Sequence, residues 1–323
     1  MGTDVEYAIL RTLSYFHVFH YPLSKDEIWK YLPVKCDSKE FDRAFADLLD
    51  MEIVFRLDDF YSLYKDYTLI TRRKKGNYLS KKKLKKAMRI SRFLGAFPFV
   101  EAVFISGSLS KDFALKDSDL DYFIVTAPNR LWTARNIMHL FRKLTFLLNA
   151  QNSFCMNYFI SLQHPEIDPK NFYTALELST LKTSFNHAGA DELIIQNSYW
   201  VSKYFPNISL ARNLINMKNK KWLPTRLFEY LVNTINGDKI ESLFYNTTIK
   251  RWQKKWSKKN YDIEKCMDSI GSQFNTPLNY PVHLPEKILS THEMIYHEAI
   301  QRFNEAFSNL PPGIHLHDSV HSL

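Results

Sequence analysis

The sequence predicts an α+β fold in four stretches: an N-terminal helical module closed by a hairpin (residues 1–70), a basic linker helix (71–93), a central small mixed sheet (94–190) and a helical C-terminal region (191–323). Three observations predict it. Apolar residues recur at helical spacing near both ends of the chain. Two short apolar runs in the middle, Val100 to Ser106 and Leu120 to Thr126, have the length of strands. Glycine is scarce, 8 residues in 323, which favours helix-rich segments over glycine-rich loops.

The elements follow in order. Val5, Ile9, Leu13 and Phe16 mark a first helix. Ser24-Lys-Asp-Glu27 is a capping box that opens a second helix through Ile28, Trp29 and Leu32. Asp37-Ser-Lys-Glu40 caps a third, with Phe41, Phe45 and Leu48 on one side. Ile53 to Leu57, an Asp58-Asp59 turn and Tyr61 to Tyr64 read as a hairpin. Three helices and a hairpin resemble a winged-helix module, which implies DNA reading through the third helix. That helix, however, sets Lys39 and Arg43 against Glu40, Asp42, Asp47 and Asp50, a poor match for phosphates, so a packing or partner-binding role is expected.

From Arg72 to Arg92 the charge is almost wholly basic, with Leu79, Leu84, Met88 and Phe93 giving an apolar side. Two readings stay open: a solvated connector, or a strip that faces RNA or polyphosphate. After the two central strands, Ala127-Pro128-Asn129 is a turn and Leu131 to Asn149 a long helix. Phe154 to Leu162 is a third strand. From Tyr173 to Leu310 the pattern is helical and aromatic-rich, broken by Pro206, Pro224 and a loop through Pro277, Pro281 and Pro285. Trp200, Trp222, Trp252 and Trp256 are expected in packing.

The formal charge of +9 favours anionic partners. Cys36, Cys155 and Cys266 are odd in number and far apart, which excludes a disulfide framework or zinc ribbon and makes a reducing, cytoplasmic setting the expectation. No apolar run approaches the ~20 residues of a membrane span. His315 and His317, without cysteine nearby, are expected as tail residues.

The chemistry concentrates in Ile105-Ser106-Gly107-Ser108 and Asp119-Leu120-Asp121. Two acids two residues apart on a strand share a face, and they repel unless a cation lies between them. Mg²⁺ suits two carboxylates because it keeps phosphate as another ligand. A Gly-Ser turn upstream offers backbone N–H groups to that phosphate.

Gly107-Ser108, a spacer and Asp119-Leu120-Asp121 resemble the signature of the nucleotidyltransferase superfamily that includes DNA polymerase beta, and residues 94–181 follow its order of elements. The chain is similar to small bacterial nucleotidyltransferase-like proteins of unassigned substrate. The resemblance implies that Asp119 and Asp121 hold one or two Mg²⁺ ions and that Gly107 and Ser108 grip the terminal phosphates of an NTP donor. It also implies a third carboxylate on the next strand, where this chain has Asn157, an amide with a carbonyl for a metal but no charge. Glu177 is the candidate replacement, with Glu166 and Asp168 weaker ones. Lys111, Lys116, Arg130 and Arg135 are candidate phosphate contacts.

The expected function is therefore Mg²⁺-dependent transfer of a nucleoside monophosphate from an NTP, ATP first among them. The acceptor is tRNA or another RNA, suited to the basic strip, or a protein, suited to the acidic third helix. A polycationic aminoglycoside-type acceptor is disfavoured by the net charge. The alternative is a non-catalytic nucleotide- or RNA-binding module that lacks the third acid.

Overall fold

Side-chain caps open each of the first three helices. The computed structural model describes residues 3–147, 151–210, 218–258 and 284–309. In α1 (Asp4–His17) the cap is reciprocal between Thr3 and Glu6. In α2 (Lys25–Lys30) Ser24 N donates to Glu27 Oε2 at 2.9 Å, while Glu27 N donates to Ser24 Oγ at 3.3 Å. In α3 (Ser38–Asp50) Glu40 N donates to Asp37 Oδ1 at 2.8 Å. β1 (Phe55–Leu57) and β2 (Phe60–Ser62) pair antiparallel around the Asp58-Asp59 turn, where Asp58 takes φ +60°. Helix, helix, helix and hairpin therefore fall where the caps and turn residues place them.

The basic segment is no free connector. It forms α4 (Thr68–Gly95), which is packed at both ends. At its start the buried Arg73 donates to Glu27 Oε1 (2.7 Å), Pro22 O (3.0 Å) and Asn77 Oδ1 (2.8 Å) under the Tyr21 ring. Farther on, Ala87 and Leu94 are fully buried against the central sheet.

That sheet has β3 (Val100–Ile105), β4 (Asp121–Thr126), β5 (Cys155–Ser161) and β6 (Lys182–Asn186) in the order β5-β4-β3-β6. β4 and β5 run parallel, connected through α6 (Leu131–Phe146); the other pairs are antiparallel. β6 corrects the reading of everything after Tyr173 as helical. Lys182-Thr-Ser-Phe-Asn is a short run with a β-branched and an aromatic residue, closed by Gly189, and it extends the sheet beyond β3.

The strand alternation buries both faces. Val103, Ile105, Tyr122, Ile124 and Phe159 pack against α4, α6 and the tryptophans of α9 (Leu223–Lys258, broken by a kink at Asn236). Ala102, Phe104, Phe123, Val125 and Ile160 face the core shared by α7 (Phe172–Thr180) and α8 (Ala190–Tyr204). The same core takes in α1 to α3 and α10 (Leu284–Ser308), so packing crosses the boundaries expected from the sequence. Arg11 pairs with Glu293 at 2.6 Å, and Arg302 donates to Leu63 O at 2.9 Å. Trp200, Trp252 and Trp256 are buried as expected, but Trp222 is 68 % exposed. Among the described residues no helix is long and apolar enough to cross a membrane. Cys266, His315, His317 and the loop prolines Pro277 and Pro281 lie outside the described residues.

Candidate functional site

One end of the sheet gathers most of the residues singled out by the sequence. Ser106 N donates to Asp121 O at 3.0 Å, which ties the end of β3 to the start of β4. Gly107 then turns the chain with φ +63° into a single helical turn, α5 (Gly107–Ser110). Only glycine suits this point. A left-handed φ strains other residues, and a Cβ here would strike the Asp121 carboxylate. Ser108 is exposed on the turn.

Asp121 is the first residue of β4. Asp119 precedes the strand and is exposed on the incoming loop. The pair therefore does not share a strand face as the period-two argument required, but the two charges still interact. β4 and β5 shift register between Tyr122–Met156 and Phe123–Tyr158, which leaves Asn157 as an extra residue in β5. Such a bulge re-aims a side chain. Asn157 Nδ2 donates to Asp121 Oδ1 at 2.5 Å, and Asn157 Oδ1 accepts from the Cys155 thiol at 3.0 Å. The amide thus turns its donor, not its carbonyl, toward the carboxylate. In this orientation it braces Asp121 through its N–H.

α7 brings Glu177 to the same place. Lys111 Nζ donates to Glu177 Oε1 at 2.7 Å and to Gly107 O at 3.3 Å, so one ammonium links the helix to the turn. Burial first, then the charges of Asp119 and Glu177, push the Asp121 carboxyl up to about 6, against the opposing hydrogen bonds from Asn157 and Cys155. Burial and the Asp121 charge push the Cys155 thiol up to about 12, so it remains a donor.

The arginines go elsewhere. β3 and β4 are antiparallel, with Val100 opposite Thr126, so the turn after β4 lies at the sheet end away from Gly107. Five residue steps of ~3.3 Å put roughly 17 Å between Asp121 and Thr126. Arg130 lies beyond that far end, bonded to Asn233 and Asp238 of α9 at 2.8 Å each. The expected anion locus at the start of α6 is filled by the chain itself. Trp132 N and Thr133 N donate to the Glu241 carboxylate at 2.7 and 2.9 Å. Arg135 is buried with its guanidinium 4.5 Å from the Trp252 ring centroid, and burial lowers its pKa to about 9. Neither arginine belongs to the Asp121 site. Lys116 is exposed on the loop, and Glu166 pairs with Lys170 at 2.5 Å; neither contacts Asp121.

Three neighbours escaped sequence reasoning. Cys155 was legible, because it lies two residues before Asn157 and so on its face. Arg142 of α6 lies 3.7 Å from the Cys155 sulfur, and Lys83 of α4 donates to Ser118 O at 2.6 Å, beside Asp119. Long-range packing places both, and no local spacing announces it.

The donor set suits a hard cation. Asp121 is desolvated beside two other carboxylates, in a cradle that only glycine leaves open. Mg²⁺ binds through one or two carboxylates plus substrate phosphates. Comparisons with known protein families, curated proteins and solved structures found no match to this chain.

Proposed function

We propose that this end of the sheet is a nucleotide site and that the chain, a nucleotidyltransferase-like protein, moves a nucleoside monophosphate from an NTP to an acceptor. The observation that carries the reading is the Asp121 carboxyl, pressed against the Gly107 turn beside Asp119 and Glu177 and pushed up to about 6. A crowded, desolvated acid of this kind is a feature of functional sites.

Asp119 and Asp121 would hold Mg²⁺, which when bound neutralises charge on the phosphoryl and leaving oxygens. The chain's own residues position the parts. Asn157 and Cys155 fix the Asp121 carboxylate. Lys111 ties Glu177 and the Gly107 carbonyl together, shaping the turn beside which the phosphates lie. In the transfer an acceptor oxygen bonds to the α-phosphorus, the bond to the β-phosphate oxygen breaks, and pyrophosphate leaves. The acceptor's proton passes to solvent or to Glu177. The three capped helices and hairpin act as a winged-helix-like docking and packing module rather than a DNA reader.

The test is transfer of label from [α-³²P]NTP with Mg²⁺ and candidate RNA and protein acceptors. Wild type labels an acceptor, and Asp119→Ala/Asp121→Ala does not. Transfer that survives the double change removes the assignment. Asn157 motivates the second reading, a non-catalytic nucleotide-binding module. It predicts NTP binding without pyrophosphate release, and pyrophosphate released with any acceptor ends it.

A further inference from the structure

α4 carries no Asp or Glu in its 28 residues. Its basic side chains divide into two sets. Five are engaged: Arg73 is buried in an ion pair with Glu27, Lys74 pairs with Asp58, Arg72 donates to His20 O, and Lys83 and Lys86 donate to Ser118 O and Ser153 Oγ. Lys75, Lys81, Lys82, Lys85, Arg89 and Arg92 are exposed, and none is paired with a carboxylate among the described residues. At about 100° per residue these six fall within an arc of roughly 120° on one side of the helix. Ala87, Ser91 and Leu94 lie opposite, against the sheet. At ~1.5 Å per residue the row from Lys75 to Arg92 is about 26 Å long.

A row of this kind disfavours its own helix. Lys81 with Lys85, and Lys85 with Arg89, are like charges at i,i+4, each such pair costing roughly 0.2–0.5 kcal/mol. A polyanion removes that repulsion. Tyr78 stands in the middle of the row, 59 % exposed, with the Lys82 ammonium 4.6 Å from its ring centroid. An exposed ring among cations suits a strand whose bases are unpaired, because every base offers a stacking face.

We propose that the exposed face of α4 binds the backbone of a single-stranded nucleic acid, with Tyr78 stacking on a base. Within the row Lys82 neighbours Lys83, which holds the loop of Asp119, so the bound strand borders the candidate nucleotide site. As the acceptor's docking face it rests on the nucleotidyl-transfer reading. The binding itself is therefore measured on Asp119→Ala/Asp121→Ala protein without Mg²⁺ or NTP, where loss of transfer chemistry has no effect.

The probe is a fluorescent single strand of about 12 nucleotides, RNA in one arm and DNA in another, read by anisotropy across a salt series. Duplex RNA, heparin and anionic phospholipid vesicles serve as comparisons. A strand that engages four cations gives a log–log salt slope of about −3. Lys82→Ala/Lys85→Ala/Arg89→Ala weakens binding on the order of tenfold or more and flattens the slope by about 2. Folding is not at risk, since the change removes helix-destabilising repulsion. Tyr78→Ala weakens single-strand binding about fivefold or more and leaves heparin binding unchanged. Lys250→Ala/Lys254→Ala, on exposed positions of α9, stays within about twofold because it removes two charges that belong to another helix and not to the row. Preference for either RNA or DNA strand over duplex supports the proposal. A triple variant that binds as the parent, equal binding of vesicles, or indifference to Tyr78→Ala overturns it.

Discussion

Asp121→Asn is expected to make the protein more stable while disabling it. The carboxyl rises from the usual 3.8 to about 6 because burial and the Asp119 and Glu177 charges disfavour its ionised form. At about 1.4 kcal/mol per pH unit, keeping Asp121 ionised near neutral pH costs the fold up to about 3 kcal/mol. The sign follows from linkage: the native state binds its proton more tightly than the unfolded chain. This stability is fully present below about pH 4, is lost as pH rises toward about 6, and does not return above it. The amide keeps an oxygen for Asn157 and removes the charge. Urea unfolding across a pH series measures the effect. The variant should exceed wild type by up to about 3 kcal/mol near neutral pH, and the gap should close by about pH 4. Mg²⁺ with NTP should then stabilise wild type as RT ln(1 + [L]/Kd) and leave Asp121→Asn unmoved. A variant less stable than wild type near neutral pH, or a gap that ignores pH, would refute the claim that the crowded carboxylates destabilise this site.

Other perturbations test the frame around it. Gly107→Ala places a Cβ at φ +63° against Asp121 and should cost about 1–3 kcal/mol in urea unfolding, and weaken NTP binding in titration calorimetry. Arg73→Ala strips a buried guanidinium from Glu27, Pro22 O and Asn77, with an expected loss of about 3–5 kcal/mol; Glu27→Gln should lose less, since the amide oxygen still accepts from Arg73. Phe303→Ala empties a fully buried position where α10 meets α1 and should cost about 3–5 kcal/mol, with a single cooperative transition lowered as a whole. A separate early transition would show that α10 is a detachable element.

Local chemistry was legible in the sequence; long-range pairing was not. Ser24, Glu27 and Asp37 announce their helices because capping involves residues three apart. The Gly107 turn and the start of β4 were legible because φ and hydrophobic period are local properties. β6 was missed because a five-residue strand at the end of a sheet, directly after a helix, carries little periodic signal beside the helical pattern around it. Asn157 was found by counting along a strand, but its orientation depends on a bulge that only pairing with β4 creates. Glu177 and Lys111, 66 residues apart in sequence, meet through the fold of α7 onto α5.

Arg130 shows how a sound local rule can select the wrong end of a strand. Helix N-termini do attract anions, and α6 does begin beside an arginine. The rule holds here, but its anion is Glu241, supplied by α9 and bonded to Trp132 N, Thr133 N and the Thr133 hydroxyl. The consequence reaches α9 itself. Glu229 accepts from Phe99 N at 2.5 Å and pairs with Lys221 at 2.8 Å, while Thr225 donates to Ala96 O at 2.8 Å. The helix thus turns polar side chains inward, onto backbone groups at the end of the sheet remote from Asp121. Leu223, Leu227, Tyr230, Leu231 and Ile235 are left on its exposed side. A hydrophobic stripe read from sequence points inward only when the surface it meets is apolar. Here that surface is made of strand-end and helix-end backbone groups, so the polar stripe is the one that docks. The exposure of Trp222 has the same origin, and it separates that tryptophan from Trp252 and Trp256, which meet the apolar face of α6.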